Sequence, residues 1–283
     1  MRWLLLDIAS AFNNVYSGWI LWNLFLAFIP LLLSFGLFRR QDISRKWFLV
    51  AWLLVGGIGA VGLLPRIPRM VQGWLSIAIE GGPTAQLRLL WLFVVVALAA
   101  LLSIKIFKKK QTMQGWLWWV GLVTFFAFLP NAPYVLTDII HLIRGTSLGQ
   151  TEVWVVALVF IPMHTVAILL GFEAYVISIL NLAIYLNRHG ARALILPLEL
   201  LIHALCALGI YLGRFLRFNS WDLVVDPSSV LTDTLDVLTS KRPVAVIFVT
   251  FVILSSLYWV MKQINLGLKL RIRYARQGID VLD

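Results

Sequence analysis

A chain of 283 residues that is 61% apolar and only 13% charged, with a mean hydropathy of +0.90, is excluded from the ordinary soluble class, whose charged share is about 25%. The net charge of +11 does not point to nucleic acid, because the Lys and Arg residues sit in short connections between apolar stretches and not on one soluble face. The single cysteine, Cys206, excludes an intramolecular disulfide framework.

In chain order, residues 1–18 carry too short an apolar run before Asp7 for a signal peptide and are expected to form an interfacial segment. Seven apolar stretches follow, at 19–38, 47–64, 87–107, 115–143, 153–186, 192–212 and 243–261. A membrane-crossing helix needs about 20 such residues. The expected fold is therefore all-α, a polytopic bundle of about seven spans forming one integral membrane domain over 1–283. Of the 24 Lys and Arg, fifteen fall in connections at 39–46, 105–110, 188–192 and 262–276. The richer side faces the cytoplasm. This predicts an external N-terminus, an external connection at 213–242 and a basic cytoplasmic tail at 262–283.

The second stretch contains Gly57-Ile58-Gly59-Ala60-Val61-Gly62. It matches a dinucleotide-binding pattern, but no strand precedes it and no acidic residue follows at the required distance. Small residues in such a span, like Gly209 and Gly213 later, permit close helix packing. The fourth stretch ends in FLPNAPYVLTDIIH, Phe128 to His141. Pro130 and Pro133 remove two amide donors and bias Leu129 and Ala132 away from the α region, so the helix is expected to break, with Asn131 satisfying freed carbonyls. If the helix resumes at Tyr134, then Tyr134, Thr137, Asp138 and His141 fall at i, i+3, i+4 and i+7 and share one polar face.

The fifth stretch is too long for a single perpendicular crossing and is expected to be one long helix, kinked near Pro162 or Gly171. In the sixth, Glu199, His203, Cys206, Arg214 and Arg217 share about 80° of arc at ~100° per residue, which is not a lipid-facing pattern. Counting from Arg192 and from Val153 places His203 and His164 at similar depth. His164, His203 and Cys206 are thus candidate metal ligands, though no HExxH, HxxxH or paired CxxC motif accompanies them. Glu173 lies half a turn around from His164 and serves different neighbours. In the following connection, Val230, Leu231, Thr234, Leu235 and Leu238 are expected on one face of a short surface helix.

The strings WNLFLAFIP (22–30), FLPNAPYVLTDIIHL (128–142), Gly171-Phe172-Glu173 and GIYLGRFLRFNSWD (209–222) together resemble a bacterial membrane-protein family, domain of unknown function 1361, over roughly residues 20–260. The resemblance implies an integral protein of a bacterial cytoplasmic membrane and supplies no substrate, cofactor or catalytic residue. Its recurring polar positions correspond to Asn131, Tyr134, Asp138, His141, Arg214, Asn219 and Asp222; Phe218 replaces an expected tryptophan. A second likeness, of Phe25–Pro30 to Phe125–Pro130, would fit an inverted repeat.

Three functions are consistent with these residues. An anionic lipid head group or small solute would be bound or transported at an external site made by Asn131, Tyr134, Asp138, His141, Arg214, Arg217, Asn219 and Asp222, because a guanidinium fork matches phosphate and carboxylate. An enzyme acting on a lipid head group would use Asp138 and His141 as acid and base. A scaffold in the bilayer would need none of these contacts.

Overall fold

The computed structural model describes residues 19–68, 71–72, 82, 90, 94, 97, 101, 115–147, 152–218 and 227–278. Among them, six helices are long and apolar enough to cross a membrane, and no strand occurs. The third predicted span, 87–107, the tail beyond 278 and residues 1–18 lie outside the described residues, apart from isolated helical positions within that span.

Helix α1 (Trp19–Phe38) forms the middle of the bundle. Half of it is buried within protein, whereas only 11% of the last span is. Ala27, Leu33, Leu37 and Phe38 join one core cluster with Phe125, Tyr175 and Ile179. A short 3-10 turn, Arg40–Asp42, leads to α2 (Arg45–Leu63), whose N-cap Ser44 accepts the Trp47 amide. The α1–α2 approach depends on missing side chains. A Cβ on Gly59 would lie 2.5 Å from the Phe25 ring, and one on Gly62 would lie 2.6 Å from the backbone nitrogen of Trp22. The glycines at 59 and 62 thus pack helices, as read from sequence, while Gly57 touches nothing.

The fourth span is wound differently along its length. Helix α3 (Trp116–Phe128) gives way to a turn at Leu129–Pro130, then α4 (Asn131–Tyr134), a 3-10 stretch Val135–Asp138 and α5 (Ile139–Thr146). Leu129 keeps right-handed helical angles despite the following proline, so the chain tightens here and does not turn sharply. The Asn131 side-chain amide donates to the Phe128 carbonyl at 3.0 Å, supplying the donor that the prolines remove. Pro30, in contrast, lies inside α1 without ending it, so the two similar Phe-to-Pro strings adopt different local structures.

The fifth span is one long helical run, Val153–Arg188. A widened π-type stretch, Val156–Phe160, precedes α6 (Ile161–Arg188), and no break occurs at Gly171. The widening sits where Pro162 cannot donate to the preceding turn. At ~1.5 Å per residue the run measures about 54 Å, well beyond a hydrocarbon core of about 30 Å. A 3-10 turn, Arg192–Leu194, enters α7 (Ile195–Phe215); then come α8 (Pro227–Thr239) and α9 (Lys241–Arg276). The basic segment after Met261 continues the last span as helix as far as Arg276.

Outside the spans, the turn after α1 is tied to the end of α6. Asp42 accepts from Arg39 Nε at 2.8 Å and from Arg188 Nη2 at 2.9 Å. Burial pushes the Asp42 carboxyl upward, but the hydrogen bonds from Arg39 and Arg188 outweigh it and hold the group below the usual carboxylate range. A depressed folded value means that the stabilisation is complete above the unfolded value of about 4 and disappears as pH falls through the folded value. Wild type should therefore melt above Asp42→Asn at neutral pH by under about 1 kcal/mol, given the pair's exposure. Thermal unfolding in detergent across acidic pH tests this: the gap should close on acidification, and a pH-independent gap contradicts it.

Candidate functional site

The polar face predicted on the fourth span converges on the C-terminal end of α7. Arg214 donates from Nη2 to Asp138 Oδ1 at 2.8 Å, from Nε to Thr137 Oγ1 at 3.0 Å and from Nη1 to His141 Nε2 at 3.0 Å. Its guanidinium also stacks 4.4 Å from the Tyr134 ring centre. Tyr134, Thr137, Asp138 and His141 thus all meet one side chain, Arg214. Gly209 and Gly213 let α7 close on these residues, since a Cβ would meet Pro130 at 2.8 Å and Tyr134 at 3.0 Å respectively. Asp138 is 1% exposed and Arg214 12%, so this is a buried pair at the edge of water or head groups. The second Asp138 oxygen accepts from Asn23 of α1 at 2.8 Å. Trp19 covers the cluster, 4.5 Å from the His141 ring and 5.6 Å from His164.

Other predicted members of this site stand differently. Asn131 is occupied by its own turn. Arg217 is exposed just past the end of α7, with left-handed backbone (φ 63°), which lets the Phe218 amide reach the Leu212 carbonyl at 3.2 Å. The α7 stripe therefore ends at Arg214. Asn219 and Asp222 lie outside the described residues. Asn23 and Trp19 were not anticipated; a lone amide in an otherwise apolar span was the available signal for Asn23.

A second polar cluster lies deeper, near the α6–α7 turn. Glu199 Oε1 accepts from the Tyr258 hydroxyl at 2.6 Å and from Lys262 Nζ at 2.6 Å, and Oε2 accepts from the same ammonium at 2.9 Å. The Tyr175 hydroxyl lies 2.5 Å from His203 Nδ1, and the His203 ring is 4.7 Å from Tyr258. Glu173 accepts from Asn265 at 3.0 Å. Tyr258, Lys262 and Asn265, at i, i+4 and i+7, are the face by which α9 is held to α6 and α7.

This arrangement corrects the expected meeting of His164 and His203. His203 bonds to Tyr175, eleven residues from His164 on the same helix, a separation of about 16 Å along the axis. The two spans differ in length, 36 residues against 24, so depths agree only when counted from their shared turn. From there His203 pairs with Tyr175, and His164 belongs with the Arg214 cluster. His164, His203 and Cys206 accordingly do not form a metal-binding group, and among the described residues no three candidate ligands come together.

A family model described as Protein of unknown function (DUF1361) matches residues 87–256, more than half of the chain and including every residue of both clusters except Trp19, Asn23, Tyr258, Lys262 and Asn265. No curated protein matches the chain, and no solved structure does.

Proposed function

The chain belongs to the DUF1361 family and has the helices of a multi-pass membrane protein; from that footing we propose that its Arg214 cluster binds an anionic lipid head group or a small anionic solute. The carrying observation is a surplus of positive charge beside a half-buried polar surface. Arg214 is balanced by Asp138, but Arg144, one turn beyond His141, and Arg217, three residues beyond Arg214, are both exposed on the same end of the bundle. Two further exposed guanidiniums at this end of the bundle favour phosphate or carboxylate. Both Asp138 oxygens are already engaged by Asn23 and Arg214, which favours binding over acid–base catalysis by this carboxylate. Transport of the bound anion would be the extension of this reading, and the side is taken as external from the distribution of Lys and Arg.

The test leaves the Asp138–Arg214 pair intact. Native mass spectrometry of detergent-purified wild type should show a retained anionic adduct, its mass telling lipid from solute. In Arg144→Gln/Arg217→Gln that adduct should fall by at least about thirtyfold, since the two lost charged contacts are each worth about 1 kcal/mol or more. Equal adducts in both proteins, or none in wild type, would count against the proposal.

A further inference from the structure

Helix α8 presents three distinct faces. At ~100° per residue, Val230, Thr234 and Val237 share one side; both valines are 6% exposed, and this side packs on α9. Leu231, Leu235 and Leu238 form a second stripe at i, i+4 and i+7, about 100° further round. They stand 62%, 56% and 50% exposed. Asp233 and Asp236 lie on the far side of the helix from that stripe, and no Lys or Arg occurs between Pro227 and Thr239. The single face expected from sequence is thus two faces, one for protein and one without a protein partner among the described residues.

We infer that the Leu231–Leu235–Leu238 stripe is inserted into the head-group boundary of the bilayer, with α8 lying along the membrane surface. Thirteen residues rise only about 20 Å, too little to cross a core of about 30 Å. Only Ser240 separates α8 from the spanning helix α9, whose first turns expose Val244, Phe248 and Val249 as lipid-facing side chains. The start of that span fixes α8 at membrane level, and the aspartates, opposite the leucines, point to water. α8 itself carries no cation, so insertion of the leucine stripe rests on apolar burial, while the exposed Lys241 and Arg242 just after it stand at the same boundary. This inference is independent of the anion site, since none of the Arg214 cluster takes part.

Spin labels on the full-length protein in phosphatidylcholine nanodiscs test it. Cysteines introduced singly as Leu231→Cys, Leu235→Cys, Leu238→Cys, Thr232→Cys and Asp236→Cys carry the label. Native Cys206, buried at 1% exposure, stays in place with the parent protein as blank. The ratio of oxygen to nickel-chelate collision should be several-fold higher at the three leucine positions than at 232 and 236. Equal access of the chelate to all five positions would place α8 in water. Shielding of the leucine positions from both agents would mean a protein partner such as a second copy, and either result overturns the inference.

Discussion

Asp138→Asn should destabilise the protein by about 3–5 kcal/mol, the usual cost of leaving one member of a buried ion pair without its partner. The guanidinium of Arg214 is 12% exposed and would keep only uncharged acceptors, Thr137, His141 and the introduced amide oxygen, with no counter-charge. An ordinary interhelical hydrogen bond in a membrane averages about 0.6 kcal/mol, so Asn23→Ala should cost far less despite touching the same carboxylate. The decisive comparison is the double variant Asp138→Asn/Arg214→Gln, which removes both charges and should recover more than half of the loss. Melting of monodisperse protein in detergent measures all three. If Asp138→Asn alone melts with wild type, the pair is not holding the fourth span to α7.

Gly62→Ala is the second large effect. The added methyl would stand 2.6 Å from the Trp22 nitrogen and 3.0 Å from its Cα, and backbone cannot rotate aside as a side chain can. The α1 and α2 helices must separate, with a cost at or above the about 1–3 kcal/mol of overpacking. Gly57→Ala in the same helix meets nothing within 4 Å and should gain about 0.5–1 kcal/mol from helix propensity. Opposite signs of the two melting shifts are expected. Similar shifts would mean that the glycines act through helix propensity and not through the α1–α2 contact.

The polar face of the fourth span was legible because charged side chains are costly in hydrocarbon and a helical period assigns them to one side. Tyr134, Thr137, Asp138 and His141 therefore pointed to a partner, and Arg214 was the cation at matching level. Three things were not legible. Depth cannot be counted from the free ends of helices of unequal length, which misplaced His203 against His164. Lys262 looked like a topology signal at the end of a span, whereas its ammonium reaches back into the bundle to Glu199. Asn23, Asn181 and Tyr175 are uncharged, so their place in an apolar span is a weaker sign of burial between helices than a charge would be; Asn181 bonds Ser34 at 2.9 Å. The proline pair predicted an irregularity correctly in place but too strongly in form, because the Asn131 amide keeps the chain winding.

The contact between Asn23 and Asp138 also has a temporal side. These residues are 115 positions apart, and Arg214 follows Asp138 by 76 more. At synthesis rates of about 5–20 residues per second, α1 emerges about 6–23 s before its polar partner, and Asp138 about 4–15 s before its counter-ion. On insertion scales a lone carboxylate costs about 2.5–3.5 kcal/mol at the centre of a span and less towards its end, so Asp138, near the end of the fourth span, weakens that span's insertion before Arg214 arrives. The helix at the centre of the finished bundle is the first of the described spans to leave the ribosome, and it must be kept available while later spans arrive. Assembly is therefore completed from the C-terminal half inward, onto an N-terminal helix that has been waiting for it.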